Sequence, residues 1–527
     1  MTRSIPKTTF NLWSEPWITL ERTGAPPERA GIEKTLMDAH KYHTIYDSSP
    51  LVIAGIFRLL VAILQESLCP QRKQDLNTLW KEGRFPVKRV NEFGEKYFAR
   101  FDLFSQDTPF LQSSSLPLVP SKGDKIETVS RLSSETSPLT ALDHYRHNNE
   151  MDEYFCPSCL AAGLVTIPPF TGIGGRGYKT SINGTPPLYI LPMGRNLFEA
   201  LTLSLLLPDE NYWPPAASRE QDLPWWKHSP IVEQNKEVIQ VGYLQSLTFP
   251  ARQVRLHPVE LGMPCTRCGK LARWGAKTMV FEMGECRARG TDNWLDPFVA
   301  YHLPNEGKSG SPWPVLPNGN KALWREFAGL FLYPPREGKN RVQRPSILER
   351  IANEADFAEE IPTLHFRCIG IEGKQAKALE WMDASYGMSI SLMNDEDASY
   401  KVKYAIQFAE EVEKIISYVF TSKINPSQRR ERHKDLKEQM ISQYWQSLAE
   451  PFRFFFLSLI DKENRMNSVE RWSMDVVKNA QSAFDDNIGK VGEDAISMRG
   501  EEEGKKDCHI RLNNKRIKFL KGKGGAI

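Results

Sequence analysis

No stretch of this chain runs for the roughly 18 uninterrupted apolar positions that a membrane span requires. The strongest candidate, Leu51 to Leu64, is interrupted by Arg58 and reads as a buried helix. A charge excess is also missing. With 68 basic and 65 acidic side chains among 527 residues the formal charge is +3, so any nucleic-acid site is a local patch and not a property of the whole surface. The opening residues, Met1-Thr2-Arg3-Ser4-Ile5-Pro6-Lys7, lack the apolar core and small-residue cleavage site of a secretory signal. The expectation is a cytoplasmic protein with no membrane partner, whose eight cysteines need an explanation other than disulfides. Internal repeats, low-complexity tracts, a Gly-x-Ser-x-Gly elbow and a His-Glu-x-x-His helix are all absent. What is present, 40% apolar and 10% aromatic residues, excludes global disorder.

The composition changes along the chain. Up to about residue 375 it is rich in Pro, Gly and Trp, with short strand-like runs such as Phe10 to Leu20 and Leu188 to Leu191. This predicts an irregular α+β domain. Beyond about residue 385 prolines thin out and helical periodicity takes over: Ala405, Phe408, Val412, Ile415, Ile416, Val419, then Val469, Trp472, Val476, Ala480, Phe484, Ile488. Between these, Leu436, Met440, Tyr444, Trp445 and Leu448 continue through Pro451 into Phe452 to Ile460, a helix that the proline should kink or split. From Ala495 onward the pattern reads as less regular, with a basic, fraying tail. A further helix is expected to begin near Ala376.

Cys156-Pro-Ser-Cys159 and Cys265-Thr-Arg-Cys268 each have the spacing that closes two tetrahedral positions on one zinc ion. Together they form a candidate four-thiolate site, structural because no position is left for water or substrate. The alternative is four unrelated buried thiols. A redox role is disfavoured because neither pair reads as a strand-to-helix junction. Cys69, Cys286, Cys368 and Cys508 lack such partners and read as plain core or surface residues.

Gly172-Ile173-Gly174-Gly175-Arg176-Gly177 formally contains the dinucleotide fingerprint, but a turn, Ser181 to Pro186, follows it instead of a helix. Tyr178 separates Gly177 from Lys179, so the phosphate-binding loop of nucleotide hydrolases fails too. Two readings remain. Side-chain-free backbone amides can approach nucleic acid closely, with Arg176 and Lys179 supplying charge; or the segment is a glycine-rich bend with surface charges. Asp143-His144-Tyr145-Arg146-His147 has the residue types of a metal nuclease or phosphohydrolase, yet the remaining histidines are scattered singly and no catalysis is assigned.

In their order these features resemble the CasA family, the large subunit of the type I-E CRISPR surveillance complex Cascade. The matching elements are Phe10-Asn11-Leu12-Trp13-Ser14-Glu15-Pro16-Trp17-Ile18, Pro109-Phe110-Leu111-Gln112, the first cysteine pair, Gly172 to Gly177, Asn183-Gly184-Thr185-Pro186, the second cysteine pair and the helical C-terminal region. The resemblance spans nearly the whole chain. It implies an N-terminal α/β domain with a zinc site, residues 1–380, followed by a C-terminal four-helix bundle, residues 381–527.

The resemblance further implies a non-enzymatic subunit. In the family it reads the protospacer-adjacent motif (PAM) in double-stranded target DNA, helps start unwinding, holds the 5′ handle of the guide RNA beside other Cascade subunits, and provides a docking platform for a helicase-nuclease. Carried over by position, the PAM contacts fall on Gly172, Gly174 and Gly175, on Lys277 in Trp274-Gly275-Ala276-Lys277-Thr278, and on Gln375 as a hairpin wedge. A further contact loop is expected around Tyr145 to Asn149. The competing class is a zinc-dependent nucleic-acid-processing enzyme, for which an open metal site including His144 or His147 would speak.

Overall fold

The structure, a computed structural model, describes all residues other than 1–8, 120–124, 134–152, 172–178, 180, 209–220, 289–294, 305–310, 318–322, 327–329, 333–341, 355–360, 362, 375–376, 424–429, 492–494 and 523–527. Helix and strand are mixed as an α+β chain requires, and the contacts divide it into two compact units. The first comprises Met1–Gly319 and Val342–Gly387, the second Asn320–Arg341 and Met388–Ile527.

In the first unit, strands β1 (Ile18–Arg22), β2 (Ala25–Ala30) and β3 (Thr44–Ile45) form a small sheet ordered β2-β1-β3. Helix α1 (Pro50–Leu68) starts on Ser49, whose side chain accepts from the Val52 amide, with Pro50 in the first turn where its missing N–H costs nothing. Every residue from Pro50 to Gln65 is buried, so its apolar length serves the core and not a membrane.

The short strand β4 (Ile126–Thr128) precedes helices α2 (Pro157–Leu164) and α3 (Ile167–Phe170) and strand β5 (Tyr189–Met193). A long antiparallel hairpin follows, β6 (Arg252–Pro264) and β7 (Leu271–Met283), with β4 on the outer side of β7. Strands β8 (Leu364–Lys374) and β9 (Lys377–Met388) are hydrogen-bonded neighbours in a sheet ordered β9-β8-β5. The helix expected near Ala376 is therefore a strand. Ala378, Leu379, Glu380 and Met382 favour helix locally, but pairing with β8, reinforced by Arg367 on Asp383 at 2.7 and 2.8 Å, overrides that preference.

The second unit is a bundle of α4 (Glu396–Lys423), α5 (Arg430–Ser447), α6 (Ala449–Ser458), α7 (Arg465–Ile488) and α8 (Ala495–Lys521). Of the apolar stripes read from the sequence, Ala405, Phe408, Val412, Ile416 and Val419 on α4 are buried and Ile415 is half-buried, and Val469 through Ile488 at helical spacing on α7 are buried. Helices α5 and α6 are the two pieces of the split helix. The break falls at Leu448 and leaves Pro451 in the first turn of α6, where a proline is tolerated. Counting that pair as one element, the described residues of this unit hold four long helices. Trp324, from the segment inserted into this unit, stacks on Phe452 at 4.7 Å and meets Trp445 and Trp472.

The region after Ala495 is more regular than its sequence suggests. Helix α8 runs 27 residues, packs on α4 and α7, and buries Cys508 and Leu512. Its glycines lower helix propensity and its many charges break up the apolar stripe, but Phe519 stacks on Phe408 at 4.3 Å and Lys515 pairs with Glu411 at 2.7 Å, so tertiary packing holds the last turns.

Candidate metal site and nucleic-acid interface

The turn joining β6 to β7 is Cys265-Thr266-Arg267-Cys268-Gly269-Lys270. The Gly269 amide donates to the Cys265 carbonyl at 2.8 Å, and Gly269 takes φ +70°, a conformation that favours glycine. The first pair sits 109 residues earlier, at the start of α2, where the Cys156 amide donates to Cys265 Sγ at 3.3 Å. What joins the segments is a short bridge: Phe155 N to Ala276 O at 3.0 Å and Ala276 N to Phe155 O at 3.1 Å. Gly275 is required there, since a Cβ would collide with the Phe155 carbonyl and the Tyr154 ring.

All four sulfurs lie within 4.8 Å of one another, three of the cysteines buried and Cys268 exposed. Cys156 Sγ to Cys268 Sγ is 3.7 Å. Thiolates about 2.3 Å from a tetrahedral zinc stand about 3.8 Å apart, so the donors fit such an ion. Hydrogen bonds to Cys156 and Cys265, together with burial, push the Cys159 thiol up, while hydrogen bonds from Cys156 and Cys159 pull Cys265 down. Four thiolates in this space would need a divalent cation among them. Among the described residues this is the only such donor group.

Sequence reasoning placed neither pair at a helix start; Cys156 is in fact the residue preceding α2, after a β-bridge. It also missed Arg267 and Asp47. Arg267, inside the second pair, donates to Asp47 Oδ1 at 2.6 Å and Oδ2 at 3.4 Å, and its Nη1 stands 3.9 Å from Cys159 Sγ. The arginine was visible between the cysteines; nothing in the sequence marked Asp47 as its partner.

Lys277 lies half-buried on β7, next to Ala276 of the bridge. Of the glycine segment, Gly172, Gly174 and Gly175 lie outside the described residues, but both of its ends are fixed. The Ser181 amide donates to the Thr171 carbonyl at 3.1 Å and Ser181 Oγ to the Pro168 carbonyl at 2.8 Å. Lys179 pairs with Glu237 at 3.0 Å and approaches Cys286 Sγ at 3.4 Å. Gln375 also lies outside the described residues, in the two-residue connection between β8 and β9. So do His144, His147 and the segment Tyr145 to Asn149.

Residues 11–483 match the family of CRISPR-associated protein Cse1. The chain belongs to that family. A CRISPR-associated protein CasA/Cse1 of Thermus thermophilus is 28% identical over 415 residues, 76% of this chain and 75% of that protein. The crystal structure of CasA from Thermus thermophilus covers 96% of this chain and all of its own, at 24% identity and TM-score 0.77. That of Cse1 from Acidimicrobium ferrooxidans covers 98% and 99%, at 18% identity and TM-score 0.79. A chain of a CRISPR RNA-guided surveillance complex matches over 95% and 99% with TM-score 0.68 at 18% identity. The resemblance drawn from the motifs is thereby shown: this Cse1 chain is a CasA-type large subunit of Cascade.

Proposed function

We propose that this Cse1 chain is the non-catalytic, cytoplasmic subunit through which its complex reads the PAM in double-stranded DNA and starts target unwinding. The observation that carries the reading is the Phe155–Ala276 bridge. On one side it is followed by Cys156 and the path through α2 and α3 to Thr171, where the glycine segment begins; on the other it is followed by Lys277. One small region thus leads to two of the three carried-over DNA contacts.

The four cysteines would hold one structural zinc ion, which ties the β6–β7 turn to the start of α2. A sphere closed by four thiolates leaves no position for substrate, so the zinc-dependent enzyme gains no support from this donor set. Minor-groove edges present mainly acceptors, which suit the Lys277 ammonium and backbone amides at Gly172, Gly174 and Gly175. Such readout is degenerate: several related PAMs are accepted, while sequence identity is delegated to guide pairing. Gln375, between two paired strands, would stand in for the first separated base pair and offset part of an unstacking cost of about a few kcal/mol. The guide RNA 5′ handle and a helicase-nuclease that docks after target binding complete the partners.

Binding of the assembled, guide-loaded complex to PAM-bearing and PAM-less duplexes across a salt series tests this. PAM-bearing duplexes should bind more tightly at every salt concentration, with a shared electrostatic slope. Equal affinity for both duplexes would sink the reading.

A further inference from the structure

Arg58 on α1 and Asp296 form a bidentate pair, Nη1 to Oδ1 at 3.1 Å and Nη2 to Oδ2 at 2.7 Å, with side chains 1% and 0% exposed. The guanidinium lies over the Tyr189 ring, 4.5 Å from its centroid. A buried pair of this kind contributes little net stability, because desolvation offsets the attraction, and apolar replacements are often neutral or stabilising. Its value lies in the geometry it specifies.

That geometry leads to one place. Asn183 Nδ2 donates both to Asp296 Oδ2 at 3.0 Å and to Tyr189 Oη at 2.9 Å; the tyrosine in turn donates to the Pro169 carbonyl at 2.9 Å. Asn183 has two amide hydrogens and Tyr189 one hydroxyl hydrogen, so the chain of donors and acceptors closes without conflict. Pro169 lies just before the glycine segment and Asn183 just after it. Both ends of residues 172–180 are therefore referred to one buried carboxylate, on top of their direct contacts at Ser181. This also accounts for the asparagine of Asn183-Gly184-Thr185-Pro186, to which the proposed function assigns no task.

We infer that Asp296, held by Arg58 and acting through Asn183 and Tyr189, is a positioning residue for PAM readout, although all four side chains are buried. The inference rests on the glycine segment being a PAM contact. A merely structural network would affect melting temperature alone; a positioning network also affects discrimination between PAM-bearing and PAM-less duplexes.

Two variants separate these roles in the guide-loaded complex: Asn183→Ala, which leaves the ion pair intact, and the apolar swap Arg58→Met with Asp296→Leu. Melting temperature and affinity for PAM-bearing and PAM-less duplexes are measured for each, with Gly175→Asp as reference. The expected result is a loss of discrimination of roughly tenfold, within the usual range of coupling between sites, with PAM-less binding unchanged; Asn183→Ala also lowers the melting temperature, because it removes a donor from a buried carboxylate. If Gly175→Asp abolishes discrimination while Asn183→Ala keeps it in full, the positioning role is wrong and the PAM reading stands. If Gly175→Asp itself discriminates normally, the PAM role of the segment falls, and this inference with it. Should the double variant fail to fold, Asn183→Ala decides alone.

Discussion

Cys156 Sγ and Cys268 Sγ lie 3.7 Å apart although 112 positions separate them in sequence. The hairpin turn delivers one and the start of α2 the other, and the Phe155–Ala276 bridge fixes their approach. An ion at this point would act as a cross-link between distant segments.

Metal analysis of the purified chain should find about one zinc, and Cys156→Ser and Cys265→Ser should each lose it. At free zinc about 1,000-fold above Kd, linkage makes the bound ion contribute about 4 kcal/mol, read as a lower melting temperature in both variants. Full zinc retention in both would show that the cluster is not the site.

Arg267→Lys and Asp47→Asn should weaken zinc binding by about 10- to 100-fold, the usual effect of groups that orient metal ligands. A lysine cannot span both Asp47 oxygens while facing Cys159. Competition with a chromogenic chelator reports the change, and wild-type affinity in both variants would exclude the arginine from metal holding.

Lys277→Ala should weaken PAM-dependent binding by about 1–3 kcal/mol, the scale of a specific base contact, with PAM-less binding almost unaffected. Gly175→Asp adds bulk and negative charge and should act in the same direction. Both are read by duplex binding to the assembled complex.

Gln375→Ala should slow R-loop formation on fully paired targets and be largely rescued on duplexes with mismatches pre-opened beside the PAM, where no unstacking is needed. An equal loss on both substrates would make Gln375 a binding residue and not a wedge.

Arg465 pairs with Asp395 and Asp397, both at 2.7 Å. Burial opposes ionisation of both aspartates, yet hydrogen bonds from Arg465, and from Lys401 to Asp397, outweigh it and hold them below the ordinary value of 3.8. Their folded pKa values are depressed. The stability they contribute is therefore complete above the unfolded value and is lost as pH falls through the folded ones. Arg465→Met should lower the melting temperature at neutral pH and flatten its decline below about pH 4. An unchanged acid profile would remove Arg465 as the cause.

By itself the sequence determined the buried character of α1, the bundle stripes, the proline break and both cysteine pairs. These are local signals: spacing at 3.6 residues, a missing N–H, two thiols across one tight turn. Tertiary structure decided the rest. Residues 377–388, rich in helix formers, became β9 because β8 offers backbone partners that outweigh propensity. Residues 495–521, weak in helical pattern, became α8 because α4 and α7 supply a surface to pack on. That the two cysteine pairs converge, that Arg267 meets Asp47, and that Asp296 gathers Arg58 and Asn183 are contacts across 100 residues or more. No local rule encodes such pairings, because which distant polar group satisfies a buried charge depends on where the whole apolar core carries each segment.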